Sequence, residues 1–154
     1  MYSKNGNLLP VPSQFTSCFP RDVCLDGELW TGYRDLSKLN SIIRRTRNIQ
    51  DSPEVLNLWK DVKYCIFDAP MHPGYYLERH NFLSNTIVSG ANLCVIPIVY
   101  CEGVPHLLSL LNEITRKQGE GIMLYHPAAK YTSGRTSNIL KLKDSSEEDV
   151  RYIK

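Results

Sequence analysis

Apolar residues recur at helical spacing in three stretches of the chain. After Asp35, the positions Leu36, Leu39, Ile42 and Ile43 share one face of a helix running to about Arg47. Asp35 stands at its cap, and Arg44, Arg45 and Arg47 gather at its C-terminal end, where cations suit the helix dipole. Residues 75–88 repeat Tyr76, Leu77, His80, Leu83 and Ile87. Residues 105–117 carry Leu107, Leu108, Leu110, Leu111 and Ile114, and Gly119 is expected to end that helix. Shorter apolar runs predict strands at 23–30, with Gly27 inside it, at 62–67, closed by Asp68-Ala69-Pro70, and at 93–100, read as buried. Two further strands, 122–125 and 139–143, flank a polar loop that includes 130–136. Residues 3–7 form a polar turn around Gly6, and Pro10, Pro12 and Pro20 make the next stretch loop-like. The tail, 144–154, is charged.

Strands and helices are mixed without βαβ alternation or a phosphate-loop glycine motif, so the fold class expected is α+β. At 154 residues the chain is one domain with room for a core, and 42% hydrophobic against 22% charged residues is a globular balance. A net charge of +2 confines any basic footprint to a local patch. The five cysteines include no C-x-x-C and argue against a disulfide framework, pointing to a reducing, intracellular setting. Cys94 and Cys101 are read as small buried hydrophobes. No apolar run reaches membrane-spanning length, and no signal-peptide pattern opens the chain, whose first residues read like the middle of a domain.

Four segments carry side chains with chemical use. Asp26-Gly27-Glu28 places a carboxylate just after a glycine on a strand, where a ligand can approach the backbone. There Glu28 can accept from a ribose hydroxyl or a hydrated metal, or it is simply solvated at a turn. Phe67 ends its strand as a core residue or as a stacking platform for a purine, worth about 1–3 kcal/mol. Glu120, with Gly119 and Gly121 on either side, is a surface residue after a helix cap or an open metal ligand. Mg²⁺ takes one or two carboxylates with phosphate oxygens and water, which Glu28 and Glu120 together can offer. Lys141 and Lys143 point to one face of a strand, so they repel unless an anion lies between them; the plainer reading is an edge-strand charge pair.

In this order and spacing the segments resemble the nucleotidyltransferase motifs of the ATP-dependent DNA ligases. The most specific part is Gly134-Arg135-x-x-Asn138 leading into Lys141-x-Lys143; Asp26-Gly27-Glu28-Leu29-Trp30 strengthens it, and the match runs from residue 3 to residue 143. The resemblance implies an adenylation domain of mainly antiparallel sheets flanked by helices. It implies Phe67 beneath adenine, Glu28 on the nucleotide sugar and metal, Glu120 on Mg²⁺, and Lys141 and Lys143 as the catalytic cations on the α-phosphate. Ser3-Lys4-Asn5-Gly6 is similar to the segment that reads the 5′-phosphate of a nick, with Lys4 in place of arginine, which keeps the charge and loses the fork. Tyr125 stands where many relatives carry arginine. ATP as AMP donor, Mg²⁺ and nicked duplex DNA follow from the same resemblance. So do a monomer without membrane attachment and a role in DNA repair, replication or recombination, in a nucleus or in a prokaryotic or viral cytoplasm.

Ligase chemistry begins at a lysine in a K-x-D-G motif, expected upstream of Ser3, and no such motif occurs in the sequence. Only eleven residues follow Lys143, where an OB-fold is expected. Residues 1–154 therefore read as a partial adenylation domain, inactive alone. Two other readings remain. One is an RNA ligase or mRNA-capping guanylyltransferase, although capping enzymes usually carry aspartate where Glu120 stands. The other is a non-catalytic nucleotide- or DNA-binding remnant, favoured by the missing lysine.

Overall fold

The computed structural model describes residues 1–143; the charged tail at 144–154 lies outside them. In chain order the elements are α1 (Ser13–Thr16), β1 (Asp26–Trp30), α2 (Leu36–Thr46), α3 (Pro53–Trp59), β2 (Lys63–Asp68), α4 (Tyr76–Thr86), β3 (Leu93–Val95), α5 (Val104–Arg116), β4 (Ile122–Tyr125) and β5 (Ile139–Leu142). They form the expected α+β arrangement, with a three-stranded sheet ordered β1-β2-β3 and a separate hairpin sheet β4-β5. The β1–β2 and β4–β5 pairs are antiparallel, and β2–β3 is parallel.

The core lies on one face of the three-stranded sheet. Tyr64, Ile66 and Asp68 of β2 are buried, while Lys63 is exposed and Cys65 and Phe67 are half-buried, the alternation a one-sided sheet requires. Leu93 of β3 adds to that face, and Leu39 and Ile42 of α2, Val55 and Trp59 of α3 and Leu83 of α4 cover it, with Phe15 of α1 edge-on to the Trp59 ring at 4.7 Å. The Trp59 indole donates to Thr46 Oγ1 at 2.8 Å, and that hydroxyl donates to Ile42 O at 2.8 Å, so the polar atoms in this apolar layer are satisfied.

Several elements depart from the sequence expectation. The strand expected at 93–100 stops at Val95: Ile96 donates its amide to Ile66 O, then Pro97 has no N–H to continue the ladder, and Val99 and Tyr100 are exposed. Cys94 is half-buried and Cys101 exposed, so neither is the buried hydrophobe expected. Helix α5 closes on Gln118, not Gly119: Gln118 takes φ 66°, its amide reaches Thr115 O, and Gly119 N donates to Ile114 O at 2.9 Å. Asp35 precedes α2 without a side-chain capping bond. Helices α1 and α3 were not anticipated; α3 starts on a Ser52 cap that accepts from Val55 N, with Pro53 at its first position.

Candidate nucleotide site

The register of β1 on β2 aims the first set of site residues. Asp26 pairs with Asp68 and Gly27 with Ile66, so one step on β1 spans two on β2 and Phe67 is the unpaired residue of a bulge. Bulges of this kind re-aim a side chain. Phe67 is half-buried between the buried Ile66 and Asp68, which sets it apart from the core layer. Glu28 pairs with Cys65, on the face that the core elements leave open, and is exposed. Gly27 has a steric reason: a Cβ there would lie 2.6 Å from Cys65 O and 2.8 Å from the Tyr64 ring. Cys65 and Cys94 face each other across β2–β3 with sulfurs 3.6 Å apart, and burial pushes the Cys65 thiol up to about 12, so it stays protonated at neutral pH.

The second set sits on the hairpin sheet. Met123 pairs with Lys141 and Ile122 with Leu142, which brings the start of β4 beside Lys141 and Lys143. Glu120 Oε2 accepts from Lys141 Nζ at 3.1 Å and lies 3.5 Å from Lys143 Nζ. The anion that two adjacent lysines need is thus supplied by the protein itself. The bond from Lys141, then its charge, and then that of Lys143 hold the Glu120 carboxyl below its usual range. Gly121 makes the approach possible: its φ is +148°, and a Cβ would lie 2.1 Å from Leu142 O.

Glu120, Lys141 and Lys143 are therefore brought together, and Glu28 and Phe67 lie on the paired strands β1 and β2. Ser3 and Lys4 sit in the expected turn, where Ser3 N donates to Asn7 O at 2.8 Å, Asn7 N donates to Ser3 Oγ at 3.2 Å, and Gly6 takes φ 77°. Among the described residues no hydrogen bond or ion pair joins that turn to the other two sets. Nor does any group of three or more His, Cys, Asp or Glu there stand ready to hold a metal ion. Glu28 and Glu120 stand on separate sheets, so the described residues do not form a fully caged ion site. No helix among the described residues is long and apolar enough to cross a membrane.

Between the two sets lies a buried ion pair that the sequence did not single out. Arg79 of α4 donates from Nε to Asp68 Oδ1 at 2.6 Å and from Nη2 to Asp68 Oδ2 at 3.0 Å. Its Nη1 donates to Gly74 O at 3.1 Å and Ala129 O at 2.9 Å. Tyr131 donates its hydroxyl to Asp26 Oδ2 at 3.2 Å. Burial raises the Asp26 carboxyl, with the Tyr131 bond opposing and the charge of Asp68 adding. Burial likewise raises the Tyr76 phenol to about 12 and that of Tyr125 further. The signal was present in the sequence: Arg79 lies among the inward positions Tyr76, His80 and Leu83 of α4, where a lone cation needs a buried partner.

The chain matches no family model. Its sequence is 27% identical over 161 aligned positions to the DNA ligase of Haemophilus influenzae, an alignment covering 99% of this chain and 54% of that protein. Its fold is similar to a solved Lig E DNA ligase from a study of DNA binding with a minimal scaffold. That match has a TM-score of 0.79 at 27% identity and covers 93% of this chain and 54% of the other. The chain thus spans about half the length of each of these relatives. In both sequence and fold, the chain is similar to DNA ligases.

Proposed function

We propose that this domain holds ATP for adenylyl transfer, as the nucleotide-binding part of a DNA ligase that seals nicks in duplex DNA. The observation that carries the reading is the single carboxylate of Glu120 held by both Lys141 and Lys143. Two exposed ammonium groups sharing one anion make a ready receptor for a nucleotide phosphate, which can take the place of that carboxylate. Phe67 at its bulge gives adenine a stacking surface, and Glu28 accepts from the ribose or from metal-bound water. Mg²⁺, when bound, neutralises phosphate charge, and Glu120 and Glu28 are the residues that would hold it. Lys141 and Lys143 orient the α-phosphate and stabilise charge that develops there. Ser3 and Lys4 would meet the 5′-phosphate of the nick, Lys4 as a point charge.

In a complete ligase, a lysine of K-x-D-G takes AMP from ATP with loss of pyrophosphate. AMP then passes to the 5′-phosphate of the nick, and the 3′-hydroxyl displaces it. This sequence contains no K-x-D-G, so in this reading the polypeptide binds ATP without forming a lysine–AMP bond. We assign it to DNA repair, replication or recombination, as a monomer in a reducing compartment that suits its five free cysteines.

The test combines calorimetric titration of ATP and Mg²⁺ with labelling by ATP radiolabelled at the α-phosphate. The expected result is reversible binding, weakened at least tenfold in Lys141→Ala, and no labelled band after denaturation. Absence of ATP binding, or binding indifferent to Lys141→Ala, would sink the assignment. A labelled band would show a nucleophile other than the family's lysine.

A further inference from the structure

The two halves of the proposed nucleotide site lie on sheets that share no strand pairing. A nucleotide stacked on Phe67 can reach Lys141 and Lys143 only if the hairpin sheet is held at the right height and rotation over the other. The contacts that could do this converge on the start of α4. Leu77 N donates to Pro127 O at 3.3 Å, and Tyr75 forms a β-bridge with Lys130. The Tyr76 ring stacks on Tyr125 of β4 with centroids 4.3 Å apart. At the centre is Arg79, whose guanidinium grips both oxygens of Asp68, next to Phe67, and also reaches Ala129 O in the loop leading to β5. Tyr131, in that same loop, returns a bond to Asp26, two residues before Glu28.

We infer that Arg79 is a positioning residue that sets the Lys141–Lys143 strand over the sheet of Phe67 and Glu28, so that one nucleotide's base and phosphates are held together. The inference rests on the nucleotide reading of the site. Only a planar fork can hold both oxygens of Asp68 and still send a third bond to a separate loop; a lysine in its place keeps the charge and loses the span. Tyr131, whose ring centroid lies 5.8 Å from the Arg79 guanidinium carbon, is a second clasp at the same joint. Neither residue touches the nucleotide in this arrangement.

The test compares affinities for ATP and for adenosine, both with Mg²⁺, in the wild-type chain, Arg79→Lys and Tyr131→Phe. Adenosine engages Phe67 and Glu28 alone, whereas ATP also needs the two lysines. The expected result is that Arg79→Lys keeps adenosine binding and lowers the preference for ATP over adenosine about tenfold, the equivalent of one charge-assisted hydrogen bond. Tyr131→Phe lowers it less, in the same direction. A merely structural role would reduce both affinities in step with the folded fraction, measured by circular dichroism, and leave their ratio unchanged; that outcome overturns the inference. If Arg79→Lys does not fold, Tyr131→Phe, which alters one hydroxyl, decides by the same ratio. A wild-type preference for ATP that both variants retain overturns the positioning role and leaves the nucleotide site standing. A wild-type chain without that preference overturns both.

Discussion

The carboxylates of Asp68 and Glu120 both hold cationic partners, and they do so in opposite surroundings. Asp68 meets Arg79 with side chains 2% and 3% exposed, whereas Glu120 meets Lys141 and Lys143 with side chains 75%, 48% and 55% exposed. Buried charges cannot fall back on water, so Asp68 and Arg79 are committed to each other and to the carbonyls of Gly74 and Ala129. Exposed charges can, and Glu120 can leave its lysines at little cost when a phosphate arrives. The same ion-pair chemistry thus makes a fixed joint in one region and, in the function proposed above, an exchangeable receptor in the other. Burial decides between the two.

The largest expected effect lies at the joint. Asp68→Ala strands a buried guanidinium and should cost about 3–5 kcal/mol of folding stability, read as a lower urea midpoint at an unchanged slope. Replacing both partners, Asp68→Leu with Arg79→Leu, should cost less than the single change, because no charge is left unpaired. A double variant as unstable as the sum of its singles would break the comparison, since the pair would then be an additive packing feature.

The next effect tests the bulge. Phe67→Ala should weaken ATP binding by about 1–3 kcal/mol through the lost stack. As a half-buried residue outside the core layer, it should spare most of the stability that truncating a core aromatic removes, roughly 3–5 kcal/mol. Affinity and unfolding midpoint measured on one sample separate the roles. Stability collapse with unchanged affinity would return Phe67 to the core and remove the floor of the site.

The receptor was far more legible in the sequence than the joint. Lys141 lies on β5 of a local hairpin, with Lys143 just past its end and Glu120 just before β4, so their order along the chain brings them together. Glu28 stood out by following Gly27 and Phe67 by ending its strand, although the bulge that isolates Phe67 depends on a pairing register no single strand reveals. The joint links Asp26, Asp68, Arg79 and Tyr131, far apart in the chain, and depends on how α4 meets a loop from another sheet. Strand 93–100 was overextended because apolar content marks burial and pairing alike, whereas past Val95 the chain has Pro97 and no ladder. Helix α3 was missed although Ser52-Pro53 announces it, because its seven residues carry too short a repeat to stand out.

The smallest expected effect concerns the receptor's response to acid and salt. Glu120 titrates below its usual range because Lys141 donates to it and both lysines surround it. A depressed carboxyl favours the folded contact at pH above its unfolded value, and that contribution disappears as pH falls through the folded value. The group is largely exposed, so added salt should screen the lysines and move its titration back toward the ordinary glutamate range. Carboxyl carbon shifts followed by NMR across an acid titration, at low salt and near molar salt, read this directly. The thermal midpoint at neutral pH should stay the same in Glu120→Gln, because neither lysine is left buried without a partner. A Glu120 titration indifferent to salt, or a marked loss of stability in Glu120→Gln, would show that this carboxylate is locked like Asp68 and not free to yield its lysines to a phosphate.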